Sequence, residues 1–477
     1  MNKPRRAARS IRRTTRRAGR LVSAIVGLTV GLGTALGNFG PAVAEGRITG
    51  PTPIQHVVII YQENHSFDNV LGKLCVLDDR CNGATTGVLP DGQVIPLRRA
   101  TDIVPDVEHL SGGQRTAIHD GKMDGFSKIG GCGPAKNYQC YTQFHPSQIP
   151  NLAALARQFD ISDRTFSMSP ISSWGAHLEL VAQTLDGFIH HVPKDIPKGL
   201  PGQTVGPGWG CDSRKDVNWR PNSSSGNRLV PSCVPDFTLD PALYPFGGAY
   251  KATPVKHVPT IMDRLDAAGL SWRLYATGAS GGSPYGWAIC PTFARCLYTA
   301  QHNNQVASEQ VISDAQAGTL PNFSIVLPSS GSSQHNGGSM LQGDNWIGSV
   351  VGAIQNSSQW SSTAIFITYD DCGCFYDHGP PRSGWGIRVP MVIVSPWAKP
   401  GHNDPRRASF SSMLAFTEHN FGLPPLTTRD APAYDYEFSF NFAAPPSLAK
   451  THLTYSTIPG WEAHWLKTHK PDPNDPT

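Results

Sequence analysis

Short runs of β-branched and aromatic residues punctuate this chain, and the strongest of them end in acidic residues. Residues 56–61 read His-Val-Val-Ile-Ile-Tyr and are followed by Gln62-Glu63-Asn64; residues 364–369 read Ala-Ile-Phe-Ile-Thr-Tyr and are followed by Asp370-Asp371. Neither run alternates apolar with polar positions, so both predict strands buried on two faces, as in a parallel sheet. Further strands are predicted at 270–275, 322–327 and 389–394. Apolar residues recur at helical spacing in 149–158, 174–184, 260–268, 344–355 and 411–420. Strands alternating with helices predict an α/β fold with a mostly parallel central sheet. The stretch 193–249 departs from this pattern: it is rich in Gly, Pro, Ser and Asn and holds Cys211 and Cys233. It reads as a disulfide-stapled surface insertion, suited to a lid. One large domain over 45–445 carrying this insertion, then a C-terminal extension at 446–477, is the expected organisation.

The amino-terminal segment changes the charge picture. Residues 1–44 carry nine Lys or Arg and no acid, with arginine pairs at 5–6, 12–13 and 16–17. A weakly apolar run at 21–37 and a small-residue site at Ala42-Val43-Ala44 follow. This is the layout of a signal peptide, of the twin-arginine type. The alternative, an uncleaved anchor, has a run shorter than the about 20 residues of a membrane span. The chain is therefore expected to be secreted or held in the cell envelope. Without residues 1–44, Lys plus Arg falls from 40 to 31 against 36 Asp plus Glu, so the formal charge moves from +4 to near −5. The basic excess belongs to the leader, and no nucleic-acid partner is inferred from it.

All ten cysteines lie beyond the leader. An even number in an exported chain predicts disulfides, here between near neighbours: Cys75/Cys81, Cys132/Cys140, Cys211/Cys233 and Cys290/Cys296. Cys372 and Cys374 are left; a bond between them is favoured over a metal site, because they lack the spacing of structural zinc ligands.

Ligands of open α/β sheets gather at the carboxyl ends of the strands. Glu63, Asn64, Asp370 and Asp371 all follow such ends, so they are expected to converge. Three carboxylates in one place repel one another, and a bound cation relieves the repulsion. Taken singly, Glu63-Asn64 reads equally as a cap or turn and Asp370-Asp371 as a solvated turn.

Gln62-Glu63-Asn64-His65-Ser66-Phe67-Asp68-Asn69-Val70-Leu71-Gly72 resembles the amino-terminal signature of the bacterial phospholipase C and acid phosphatase family, within the alkaline-phosphatase-like superfamily. The resemblance continues in order through Asp106-Val107-Glu108-His109, Gly121 to Phe126, Gly318 to Asn322, Tyr369-Asp370-Asp371, Phe375 to Pro381, Arg388-Val389-Pro390, Ser395 to Ala398 and Asn420 to Leu426. It implies an alkaline-phosphatase-like α/β/α sandwich and a metal site, of unspecified cation, made from Glu63, Asn64, Asp370, Asp371 and a nucleophilic hydroxyl. Aligning Pro170 to Leu178 with the family's nucleophile segment puts Ser173 at that position, with Ser172 the alternative. His109 and His335, and less directly His302, are implied as imidazoles for phosphoryl oxygens or the leaving group. The implied substrate is a phosphate ester: a phospholipid phosphodiester at a membrane surface, or alternatively a phosphomonoester. A non-catalytic binding protein on the same scaffold stays open. The chain departs from the family pattern at Ala176 (Asn in relatives), Gln334 (Glu), Cys372 and Cys374 (His or Gly) and Phe410 (often His).

Overall fold

The computed structural model describes residues 48, 52–189, 209–222, 224–276, 289–329 and 331–469, with backbone only at 194–195. The leader reading at 1–44 and the first part of the 193–249 insertion lie outside these residues. Residues 45–477 form one compact unit. No helix among the described residues is long and apolar enough to cross a membrane.

Eight strands make the central sheet: β1 (His56–Gln62), β2 (Asp160–Ser162), β3 (Trp272–Tyr275), β4 (Gln305–Val306), β5 (Phe323–Val326), β6 (Thr363–Tyr369), β7 (Met391–Val394) and β8 (Asn403–Asp404). Their order is β4-β3-β5-β1-β6-β7-β2-β8. Only β7 runs against its neighbours, so the expected mostly parallel sheet is present. Every residue of β1 and β6 is buried, as their unbroken apolar runs require.

Helices cover both faces. On one lie α3 (Ser173–Ala182), α4 (Ile261–Ala267) and α7 (Phe410–Phe421), with α3 touching the other two. On the other, α2 (Pro150–Gln158) and α5 (Gln310–Ala317) pack on α6 (Met340–Gln355). Helix α1 (Ser111–Ile118) belongs to a smaller excursion between β1 and α2. That excursion, together with Phe375 and its neighbours from the loop after β6, builds a second apolar cluster that includes Val107, Phe126 and Tyr141. Tyr61, near the end of β1, docks α3 and α7 onto the sheet through edge-on contacts with His177 at 4.7 Å and Phe410 at 5.4 Å. Phe410 is fully buried there, which gives the departure from His at this position a packing role.

The four near-neighbour disulfides are formed as expected. The reading of Cys372 and Cys374 as a bonded pair is corrected: both are free thiols, buried in the second apolar cluster, with sulfurs 3.4 Å apart. The turn is held by other means. Asp371 Oδ1 accepts the Gly373 N–H at 2.7 Å, and Cys372 Sγ accepts the Cys374 N–H at 3.0 Å. The insertion is also more structured than its composition suggests. An antiparallel pair, Lys215–Trp219 with Arg228–Pro231, buries Val217, Trp219 and Val230 in the main core.

A buried charge network ties the loop after β1 to the loop after β6. Arg388 is 1% exposed and uses all five of its N–H groups. Nε donates to Asp377 Oδ1 at 3.0 Å, Nη2 to Asp377 Oδ2 and Asp68 Oδ1 at 3.1 Å each, and Nη1 to the carbonyls of Asn82 and Asp163 at 2.8 Å. Removing one partner of such a buried pair leaves an uncompensated charge, so Arg388→Met is expected to lose about 3–5 kcal/mol of stability. A urea titration of the two proteins measures it; a loss under about 1 kcal/mol, the range of an exposed ion pair, would show that the network does not hold the loops.

Candidate active site

Register sets the site. Gln62 of β1 lies opposite Tyr369 of β6, so the next residues, Glu63 and Asp370, leave the sheet side by side. The chain then turns sharply at Asn64, whose φ of 46° is left-handed, a conformation Asn tolerates better than most residues. The turn brings the Asn64 N–H onto Asp370 Oδ1 at 3.1 Å and Asn64 Nδ2 within 3.2 Å of Asp371 Oδ1. Gly373 permits the close approach: a Cβ there would lie 2.1 Å from the Asn64 carbonyl oxygen.

Ser173, the first residue of α3, enters from the other side. Its Oγ accepts from Asn64 Nδ2 at 3.0 Å and donates to Glu63 Oε2 at 3.4 Å. Its N-terminal segment is pressed into place at Gly175, where a Cβ would lie 2.1 Å from Ile171 Cδ1. Glu63, Asn64, Ser173, Asp370 and Asp371 are all 0% exposed, so the structure brings these five together across more than 300 residues of chain. Ser172 is nearly as buried but is the residue preceding the helix and makes no capping bond through its side chain.

The electrostatics of this cluster are unfavourable as it stands. Burial raises Glu63 well above the usual carboxylate range, and the charges of Asp370 and Asp371 raise it further. Burial and then the Asp371 charge raise Asp370; burial pushes Asp371 up to about 7. Four buried oxygens, Glu63 Oε1, Asn64 Oδ1, Asp370 Oδ2 and Asp371 Oδ2, have no hydrogen-bond partner among the described residues. Buried acceptors are normally paired. An oxygen-only set of three carboxylates, an amide and a hydroxyl fits a hard or borderline cation.

A second carboxylate group does not compete. Asp68, Asp377 and His378 bring ligand-capable atoms within 4.8 Å of one another, but the Arg388 guanidinium already occupies both carboxylates and His378 Nδ1 sits 2.5 Å from Asp68 Oδ2. That arrangement is a complete ion-pair network without a metal.

The three histidines differ. His109 is fully buried; its Nδ1 donates to the Val107 carbonyl at 2.7 Å, and Nε2 has no partner among the described residues. His109 and His335 rings meet edge-on at 5.7 Å. Gln114 links this pair to the nucleophile segment, donating through Nε2 to the His109 carbonyl at 2.9 Å and the Ile171 carbonyl at 2.6 Å. His302 is not brought to the cluster: it is exposed, with Nδ1 4.0 Å from Cys290 Sγ. Gln114 carries no sequence signal of its own. His177, one turn after Ser173, returns a bond from Nδ1 to the Ser173 carbonyl at 2.8 Å, and burial lowers its pKa to about 3, so it serves the helix as a neutral ring.

This sheet, with its carboxylate cluster and helix-borne serine, is the scaffold of a hydrolase acting on phosphate esters. The chain matches the Phosphoesterase family over residues 54–424 and belongs to that family. It is 24% identical over 454 residues to non-specific phospholipase C1 of Arabidopsis thaliana, covering 83% of this chain and 72% of that one. It is 24% identical over 481 residues to phospholipase C A of Mycobacterium tuberculosis, covering 88% and 84%. Among solved structures, a protein in the alkaline phosphatase superfamily from Vibrio parahaemolyticus overlaps 82% of this chain and 71% of that one, at 12% identity and a TM-score of 0.36. That overlap is too loose to bear on the chemistry.

Proposed function

We propose that this chain is an exported, metal-dependent phosphoesterase that cleaves phospholipid phosphodiesters in the phospholipase C sense, with Ser173 as nucleophile. The four orphaned oxygens surrounding the Ser173 hydroxyl carry this reading. Glu63, Asn64, Asp370, Asp371 and Ser173 would hold the cation. Bound there, a cation offsets the carboxylate charges and lowers the pKa of the serine hydroxyl. Ser173 Oγ, at the amino end of α3, gives its proton to Glu63 Oε2, to which it already donates, and attacks phosphorus in line; the N–H groups of the helix start favour the phosphate's charge. The phosphorus–oxygen bond to the leaving group breaks, and His109, protonated at Nε2, gives its proton to the departing alkoxide. Water then hydrolyses the phosphoserine. His335, in ring contact with His109, supports its orientation.

The phosphodiester preference draws on the phospholipase C names of the two relatives above. It is tested by comparing hydrolysis of a chromogenic phosphodiester and a chromogenic phosphomonoester, each before and after chelation. The expected result is faster turnover of the diester, lost on chelation and restored by added divalent cation. Faster turnover of the monoester would move the assignment to a phosphatase, and turnover indifferent to chelation would remove the metal from it.

A further inference from the structure

A cavity of about 930 Å³ opens beside the carboxyl ends of β2 and β8. None of Glu63, Asn64, Ser173, Asp370, Asp371, His109 or His335 lines it. Its wall includes Ile171, two residues before Ser173, so it adjoins the nucleophile segment.

The lining holds seven arginines against two carboxylates, Glu179 and Asp186. Both acids accept hydrogen bonds from neighbouring groups, and the charge of Arg429 also acts on Glu179. Glu179 accepts from Ser169 Oγ at 3.0 Å on each oxygen, and Asp186 Oδ2 accepts the Lys256 N–H at 2.9 Å. Arg406 pairs with Asp404 at 3.5 Å and stacks over Phe438. Among the described residues, the other six arginines have no carboxylate within ion-pair distance.

Five of these six arginines fall into two groups from separate parts of the chain; the sixth, Arg429, acts on Glu179. Arg115 of α1 feels the charge of Arg220, which follows the strand Lys215–Trp219; burial and then that charge lower the Arg115 pKa. Arg164 after β2, Arg407 after β8 and Arg382 form the other group. Burial and then the charges of Arg164 and Arg382 lower the Arg407 pKa. Met168, Ile171, Phe188 and Trp385 add an apolar surface to the lining.

Crowding like charges without counter-charges destabilises a fold unless a ligand supplies them. Beyond the leader this chain has more acids than bases, so the concentration of cations here is local. Guanidinium groups recognise phosphate through paired N–H bonds. Two arginine groups divide the positive charge between two places, and the volume exceeds what one phosphate fills; pockets of about 300–1,000 Å³ hold whole small ligands. We propose that this cavity binds a ligand carrying two or more phosphate groups, at a site separate from the carboxylate cluster around Ser173.

The test uses the full chain carrying Ser173→Ala, with chelator present, so that neither the nucleophile nor a metal enters the result. Calorimetry measures inorganic phosphate and inorganic tripolyphosphate; a flotation assay measures vesicles of cardiolipin, which has two phosphates, against vesicles of phosphatidylcholine. The tripolyphosphate arm reports a free ligand and the cardiolipin arm a lipid headgroup. Tripolyphosphate is expected to bind at least about 10-fold tighter than phosphate, since each added phosphate group brings further charge-assisted hydrogen bonds. Arg115→Gln with Arg220→Gln, and separately Arg164→Gln with Arg407→Gln, should each weaken binding by at least about 10-fold. Arg228→Gln, an exposed arginine outside the cavity, should leave it unchanged. Circular dichroism confirms that each variant is folded, and either double variant suffices. Retention of cardiolipin vesicles alone, lost in a double variant, also supports the proposal and assigns the ligand to a lipid. Equal affinity for phosphate and tripolyphosphate with no preference between vesicles, binding that survives both double variants, or equal loss in Arg228→Gln would each overturn it.

Discussion

Ser173→Ala is expected to reduce ester cleavage by at least about 10³-fold while leaving the fold intact, because removal of a covalent nucleophile ends the pathway it serves. The fold should tolerate the change. Ser173 is the first residue of a fully buried helix, where alanine is a good helix former. The lost contacts are its bonds with Asn64 and Glu63, both groups whose polar atoms are already short of partners. Ser172→Ala is the natural control: its hydroxyl makes no capping bond, so its loss should cost less than the about 1 kcal/mol of a typical cap. The measurement is kcat on a chromogenic phosphate ester alongside the melting temperature. Turnover retained in Ser173→Ala and lost in Ser172→Ala would transfer the role to Ser172. Turnover retained in both would dismiss a serine nucleophile.

The second large effect concerns Asp371→Asn, which should abolish cation-dependent turnover and at the same time stabilise the chelated protein at neutral pH. The sign follows from linkage. Burial pushes the folded-state pKa of Asp371 up from 3.8 to about 7. Below the unfolded value the carboxyl is protonated in both states, and its full contribution to stability is present. As pH rises toward 7 the unfolded chain has released a proton that the folded chain still holds, so stability falls by about 1.4 kcal/mol per pH unit. Above the folded value both states are ionised and the penalty is complete. Glu63 and Asp370 are raised in the same direction. Chelated wild-type protein should therefore lose melting temperature between about pH 4 and 7 more steeply than Asp371→Asn, and added divalent cation should raise the wild-type melting temperature but not that of the variant. Identical pH profiles for the two proteins, or equal stabilisation of both by the cation, would show that Asp371 is not part of a cation site.

Much of this protein is legible along its sequence because strand and helix patterns are local. The uninterrupted runs at β1 and β6 announce central strands, and the acidic residues behind them stand at strand ends, where open sheets collect ligands. The near-neighbour disulfides are legible for the same reason: short separations in sequence keep the partners close. The bond expected between Cys372 and Cys374 fails because sequence proximity does not orient sulfurs. There the Asp371 and Cys372 side chains take the backbone N–H groups of the turn. His302 stands near the family's position in sequence, but the structure leaves it exposed beside Cys290.

By itself the sequence determined strands β1, β3, β5, β6 and β7 and helices α2, α3, α4, α6 and α7, though not β2, β4, β8, α1 or α5; it also determined that the sheet is mostly parallel and that Glu63-Asn64 and Asp370-Asp371 sit at strand ends. Only the tertiary structure decided what meets what. The β1–β6 register sets Glu63 beside Asp370, Gln114 joins the His109 loop to the nucleophile segment, and Arg388 locks the two loops together. The same holds for the arginine cavity, whose residues run from Arg115 to Arg429 without any local pattern. The physical reason is range: periodicity reflects neighbours a few residues apart, whereas a charge cluster is made by whichever chain ends the packed sheet brings to one edge.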